Sequence, residues 1–411
     1  MKLAWIGSPS EGGGVGGMCR LFLRELAQMP IELDVYANTQ LSDVPQLRGL
    51  FDAPDKRFFS FLYEWNWNSW YGRNRQIAFV MSFLKRLPLH GRIVEALMAE
   101  HRRRAYDVVI QFSQGELLSL RAHTSDVRVF LFPCVHAAGE LHWCRKEAAL
   151  ARRCEKLWWR VLRDCYLAFR ARLQKQDYHR ARGIIGMSQR FNRCVERDYG
   201  VARGRMGVVY HPIEVGEASS PLPSVQERIR LLFVGRISVR KGIDLLIQTI
   251  PALLAAHPDI EVAVIGAGSL WSDYEGLLKD LPTERCRWLK SLPNEQVTKE
   301  MQKADILLAP SFYEPGGIVV GEALACGMIV VASDEVGSAE NLPSSVCKKF
   351  RAGDQEGFKT AVLAALTDVR KRGVELREKA RRVASEQFDP ASMTRMLLSE
   401  VERILANESK S

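Results

Sequence analysis

Residues Glu314–Gly327 read EPGGIVVGEALACG, and this stretch decides the fold of the 411-residue chain. Pro315, Gly316 and Gly317 let the backbone turn sharply and present free N–H groups ahead of an apolar helical run. Glu322 lies inside that run, among Val319, Val320, Ala323 and Leu324. An unpaired carboxylate in such company costs several kcal/mol (order of magnitude), so it needs a partner. Glu314 precedes the helix, so one helical face cannot hold both carboxylates.

Outward from this stretch, short apolar strands alternate with helical segments. Expected strands are Arg230–Val234, Glu261–Ile265, Arg287–Leu289, Ile306–Leu308 and Met328–Ala332, with helices at Gly242–Ala256, Gln296–Lys303 and Ile318–Cys326. The first half repeats the pattern, with strands at Leu3–Gly7, Leu33–Ala37, Asp107–Phe112, Val127–Phe132 and Ile184–Met187 and a helix at Met18–Gln28. This is the signature of parallel, doubly wound α/β sheets. The polar, proline-containing stretch VGEASSPLPSVQER reads as a linker. The expected division is 1–214, linker 215–228, 229–385, and a helical segment 386–411 that crosses back to the first domain. Ligands of such sheets sit at the carboxyl ends of strands, so SPSEGGGVGG, FPCVHAAG, GRISVRKG and SFYEPGG are the expected functional loops.

Composition narrows the class. With 47% hydrophobic and 26% charged residues the chain reads as globular, and a net charge of +10 suggests an anionic partner. Nine cysteines without a C-x-x-C pair argue against a disulfide framework or zinc site and for a reducing compartment. The N-terminus reads as a first strand, and no apolar run approaches the ~20 residues of a membrane span. A cytoplasmic protein is expected.

Three motifs carry chemistry. In FVGRISVRKGID, Arg236 and Lys241 precede a helix that Gly242 opens, which suits a diphosphate; a basic surface loop is the alternative. GAG at Gly266–Gly268 lacks the third glycine of a dinucleotide fingerprint and reads as a strand-end turn. In the opening stretch, amides at Gly316–Ile318 suit phosphate or sugar oxygens, Glu322 two ribose hydroxyls, and Glu314 a sugar. The competing reading is an interior glutamate satisfied by a backbone amide or an arginine.

FVGRISVRKGIDLLI, ADILLAPSFYEPGGIVVGEALACGMIVVAS and VGSAENL together resemble the C-terminal domain of the retaining glycosyltransferases of family 4, of the GT-B fold. The clear resemblance spans about residues 206–345; GGVGGMCRLFLRELA and VHAAGE match only by pattern. The resemblance implies that Arg236 and Lys241 neutralise a donor diphosphate and that Glu322 holds the ribose. It implies that Glu314, Gly316, Gly317 and Ile318 grip the transferred sugar, and that Gly16 and Gly17 approach phosphate or acceptor. His136 stands where many members carry a cleft histidine, suited to stabilising charge near the anomeric centre; a histidine satisfied structurally at a strand end is the other reading. Lys290 stands where members often have glycine, and Phe51–Phe83 has no family counterpart.

The implied activity is transfer of a sugar, with retention, to a glycan or lipid-linked acceptor in surface-polysaccharide biosynthesis (lipopolysaccharide, capsule or exopolysaccharide). The absence of an Asp-x-Asp triplet implies that no metal is required, so fixed cations and helix ends meet the leaving charge. No cofactor is expected beyond the nucleotide sugar. Rivals are a nucleotide-sugar epimerase on the same fold and, from charge alone, a nucleic-acid-binding protein, for which no motif speaks. Twelve Lys and Arg residues between Arg145 and Arg182, with Leu150, Leu157, Trp158, Val161, Leu162, Tyr166, Phe169 and Leu173 at near-helical spacing and Trp65, Trp67 and Trp70 upstream, suit an anionic membrane surface. An ordinary core stripe under solvated arginines is the alternative.

Overall fold

The computed structural model describes residues 1–11, 14–62, 75–112, 120–215, 228–268, 274–282 and 284–408. In the first domain β1 (Lys2–Ile6) leads into α1 (Gly14–Gln28), β2 (Glu32–Ala37) and β3 (Lys56–Ser60). Then follow α2 (Arg75–Arg103), β4 (Val108–Phe112), β5 (Val129–Phe132), α3 (Ala137–Lys146), α4 (Ala148–Cys154) and α5 (Leu157–Arg180). β6 (Gly183–Gly186), α6 (Gln189–Tyr199) and β7 (Met206–Val208) complete it. The seven strands lie parallel in the order β3-β2-β1-β4-β5-β6-β7.

The second domain runs β8 (Ile229–Val234), α7 (Ile243–Ala256), β9 (Ile260–Ile265), β10 (Cys286–Trp288), α8 (Asn294–Lys303) and β11 (Ile306–Ala309). It continues through α9 (Ile318–Ala325), β12 (Ile329–Ser333), β13 (Cys347–Phe350) and α10 (Gln355–Gln387). Its six strands are parallel in the order β10-β9-β8-β11-β12-β13. The last helix, α11 (Pro390–Glu408), returns to the first domain, where Met393, Leu397, Val401 and Ile404 join the core under β1 and α1. Residues of β1, β4 and β12 are buried on both faces, so these strands lack polar alternation and read as continuous apolar runs.

Three differences from the sequence expectation have physical causes. α1 begins at Gly14 rather than Met18: Gly14, Gly16 and Gly17 form the helix's first turn instead of a loop ahead of it. The basic run from Arg145 is three helices, not one. Glu155 and Lys156 adopt extended backbone and break it, and Glu155 accepts from Arg163 at 2.6 Å in a buried pair. β3 and β13 are short outer strands of mixed polarity and β7 is an outer strand of three residues, so periodicity does not reveal them. The linker at 216–227 and Trp65, Trp67 and Trp70 lie outside the described residues.

Candidate active site between the domains

The loop from β11 to α9 is fixed by its neighbour after β12. Gly337 N donates to Glu314 O at 2.9 Å, Ser338 N to Gly316 O at 2.7 Å, and Ser338 Oγ to Gly317 O at 2.7 Å. Gly317 adopts φ 94° and a Cβ there would meet Ser338 Oγ at 2.7 Å, so the turn requires glycine. The amides of Gly316, Gly317 and Ile318 consequently stand at a helix start, where no preceding turn accepts them. One turn further on, Glu322 has no ion pair or hydrogen bond among the described residues, and burial alone raises its pKa. Its carboxylate is unpaired and lines a cleft.

That cleft encloses about 340 Å³ between the domains. Its walls include Gly17 and Arg20 of α1, Glu214 of the crossing segment, Thr298 of α8 and Ile318 and Glu322 of α9. Arg20, nine-tenths buried, donates to Glu214 at 3.2 Å. Gly16 does not line the cleft; its carbonyl accepts from Ser10 N at 3.1 Å and closes the loop before α1.

Lys241 ends the turn before α7. Its ammonium pairs with Glu314 Oε2, and Arg240 lies 3.7 Å from the same oxygen. Burial pushes the Glu314 pKa up, but Lys241 and Arg240 outweigh it and hold the carboxyl below its ordinary value. The loop needs Gly242: a Cβ at this residue would lie 2.0 Å from the Pro310 carbonyl. Arg236 is exposed and lines a second recess of about 60 Å³ with Ser238, Arg240 and, from the first domain, Glu140 and Trp143. The structure therefore gathers Glu314, Lys241 and Gly316–Ile318, and sets Arg236 and Glu322 in two separate recesses.

His136 sits elsewhere than the cleft wall. At the start of α3 it bonds through Nδ1 to Tyr313 Oη, its Nε2 lies 3.4 Å from Asp198, and its side chain has no exposure. Burial lowers its pKa to about 4, so the ring is neutral. It touches the residue before Glu314, not the open cavity. Sequence reasoning missed Arg20, Arg240, Tyr313 and His211. Only Arg240 carried a signal, as half of a basic pair ahead of Gly242. Lys290 adopts φ 58°, a backbone state that favours glycine, and its carbonyl accepts from Gly266 N at 2.8 Å.

Residues 216–383 match the family model described as glycosyl transferases group 1. The second domain is a group 1 glycosyltransferase domain. The Schizosaccharomyces pombe phosphatidylinositol N-acetylglucosaminyltransferase gpi3 subunit is 31% identical to this chain over 157 residues, 38% of this chain and 34% of that protein. The chain thus spans about a third or less of the length of the first curated relatives it matches. The structure of Anabaena HepE in complex with UDP-glucose superposes with TM-score 0.64 at 16% identity, covering 100% of both chains. That of the lipopolysaccharide outer core galactosyltransferase WaaB, in its apo form, superposes at 0.62 and 16%, covering 98% of this chain and 99% of the other. The two-domain architecture of the chain is the GT-B fold.

Proposed function

We propose that the protein transfers a sugar from a nucleotide-diphosphate donor to a glycan or lipid-linked acceptor in surface-polysaccharide biosynthesis. The observation that carries the reading is Glu322: an unpaired carboxylate on the wall of an interdomain cleft, one turn beyond three free helix-start amides. A ribose offers two hydroxyl donors to such a group, and the amides suit the oxygens of a sugar or phosphate. Lys241, Arg240 and Arg236 supply fixed positive charge for the departing diphosphate, so the reaction proceeds without a metal. Glu314 orients the transferred sugar instead of forming a covalent adduct. The acceptor hydroxyl attacks on the leaving-group side, a phosphate oxygen takes its proton, and configuration is retained. The UDP-glucose bound by HepE and the lipopolysaccharide role in the WaaB name support the donor and acceptor classes.

The enzyme works at the inner face of the cell membrane. No helix among the described residues is long and apolar enough to cross a membrane. α5 nevertheless exposes Leu157, Trp158, Val161, Leu162 and Phe169, between 48% and 68% each. Exposed Arg152, Arg153, Lys156, Arg172 and Lys175 accompany them, a combination that suits anionic lipid.

Thermal shift against UDP-, GDP- and dTDP-sugars tests the donor. Saturation at 100 times Kd adds about 2.7 kcal/mol of stability. Product analysis then tests transfer: a new glycosidic bond supports it, and a free epimerised sugar nucleotide refutes it.

A further inference from the structure

Donor binding asks Lys241 and Glu314 to serve different parts of one molecule, yet here they serve each other. Lys241 and Arg240 both lie on Glu314 Oε2. A diphosphate that draws Lys241 away leaves a carboxylate whose side chain is only 15% exposed and short of a partner. Leaving such a group unmatched is costly.

One further polar group lies beside it. His211, in the crossing segment between β7 and β8, is 7% exposed and its Nε2 is buried without a hydrogen-bond partner. Its ring packs on the glycine turn: Cε1 is 2.7 Å from the place a Cβ on Gly316 would occupy. The charged group that acts on this imidazole is Glu314; Lys241 and Arg240 face Glu314 from the loop between β8 and α7 of the same domain. No step of the transfer reading uses His211. A buried imidazole without a partner beside an ion pair that must open has one consistent use.

We propose that His211 is a positioning residue for Glu314: its ring N–H takes the carboxylate that Lys241 releases when the donor diphosphate arrives. Glu314 then keeps a fixed orientation toward the transferred sugar while Lys241 serves the phosphate. Gly316 is glycine in part because any larger residue would displace this ring. The inference rests on the donor reading of the Glu314 loop.

The test pairs calorimetry with steady-state kinetics, using whichever of UDP, GDP or dTDP raises the wild-type melting point, and its sugar. His211→Ala is expected to weaken binding of the free nucleoside diphosphate by about tenfold, because the carboxylate that Lys241 releases is left unmatched, and to lower kcat at least about tenfold. His211→Phe, which fills the space without an N–H, shows the same loss, and His211→Asn, which keeps one, recovers most of it. In a Glu314→Gln background His211→Ala adds less than about twofold, because it acts through that carboxylate. Unchanged kcat in folded His211→Phe overturns the proposal, as does unchanged affinity for the nucleoside diphosphate alone. Full turnover in Glu314→Gln overturns the donor reading itself, and the proposal with it.

Discussion

Glu340 of the second domain caps a helix of the first: its Oε1 accepts the backbone N–H of Gln189 at 2.7 Å. Its other oxygen accepts from Arg190 N at 3.0 Å, so one carboxylate answers two orphan amides at the start of α6. Around it Tyr210 donates to Glu340 at 2.6 Å, and Ser188 donates to Pro315 O at 2.5 Å. Arg190 also pairs with Glu335. The domains thus meet through polar contacts beside the Glu314 loop. Such contacts exchange readily with water, which suits a cleft that must open for substrate.

Glu340→Ala should loosen this closure. Hydrogen bonds to a charged group are worth roughly 1.5–3 kcal/mol each, net of the water contacts they replace. The expected result is a lower melting point and a KM for donor raised several-fold, with free-nucleotide affinity at the second domain little changed. Scattering in solution should show a larger radius of gyration. An unchanged radius and KM would mean that closure rests on other contacts.

Glu322→Gln should separate stability from binding. The carboxylate is desolvated and unpaired, so removing its charge costs the fold nothing and relieves a burial penalty. The melting point without ligand is expected to hold or rise, most visibly as pH rises through the raised pKa of Glu322 and the native carboxylate ionises. Glu322→Ala should weaken donor affinity by about ten- to a hundred-fold, from hydrogen bonds worth roughly 1.5–3 kcal/mol to a charged group. Calorimetry that finds wild-type affinity in folded Glu322→Ala would remove the ribose assignment.

Glu314→Gln should leave the nucleotide bound and stop transfer. With the charge gone, Lys241 loses its partner and is free for phosphate, so nucleotide affinity holds or improves. Turnover falls by orders of magnitude if the carboxylate orients the sugar. Chelation with EDTA leaves the wild-type first turnover intact, and strict dependence on Mg²⁺ or Mn²⁺ would contradict leaving-group stabilisation by protein cations alone.

Acid should destabilise the protein through its buried histidines. His136 and His211 titrate at about 4 in the folded chain against an ordinary 6.5, chiefly because burial disfavours the cation. The unfolded chain therefore binds more protons, and stability is full above about pH 6.5 and lost as pH falls toward 4. Asp244 opposes this. Burial raises it to about 6, so the folded state binds the extra proton between about 4 and 6. Two protons against one leave a net loss toward acid. Melting points of wild type and His211→Asn across pH 4–7 check the sign: the variant should lose less on acidification.

The fold was legible because the central strands of both sheets are largely buried on both faces. Leu231–Phe233 and Ile306–Leu308 could only be parallel core strands between helices. Glu314, Glu322 and the glycine turn were legible for a related reason, since carboxylates and glycines in an apolar setting have few structural uses. His211, Tyr313 and Arg20 were not. Each gains its meaning from a partner far away in sequence, as Tyr313 does from His136 and Arg20 from Glu214. β3 escaped notice because Lys56 and Arg57, two of its five residues, are cations; Arg57 pairs with Asp34 on the neighbouring strand.

The exposed face of α5 gives the last prediction. Leu157, Trp158, Val161, Leu162 and Phe169 follow one another at steps of one, three, one and seven residues, which keeps them on one side of the helix. Trp159 and Leu167, on the other side, are buried, so the domain core is already filled without the exposed set. Exposed apolar side chains in a contiguous patch mark an interaction surface. The flanking cations favour an anionic one, at about 1 kcal/mol per Lys or Arg near the bilayer. Co-sedimentation with vesicles containing anionic lipid should show binding that falls steeply with salt. Trp158→Asp with Leu162→Asp should abolish it by removing the inserted surface. Reversal of Arg152, Arg153 and Lys156 to glutamate should abolish only the preference for anionic lipid. Each variant should keep the wild-type melting point, since none of these side chains is buried. Equal partition onto neutral and anionic vesicles by wild type, or none, would leave α5 a face for some other partner.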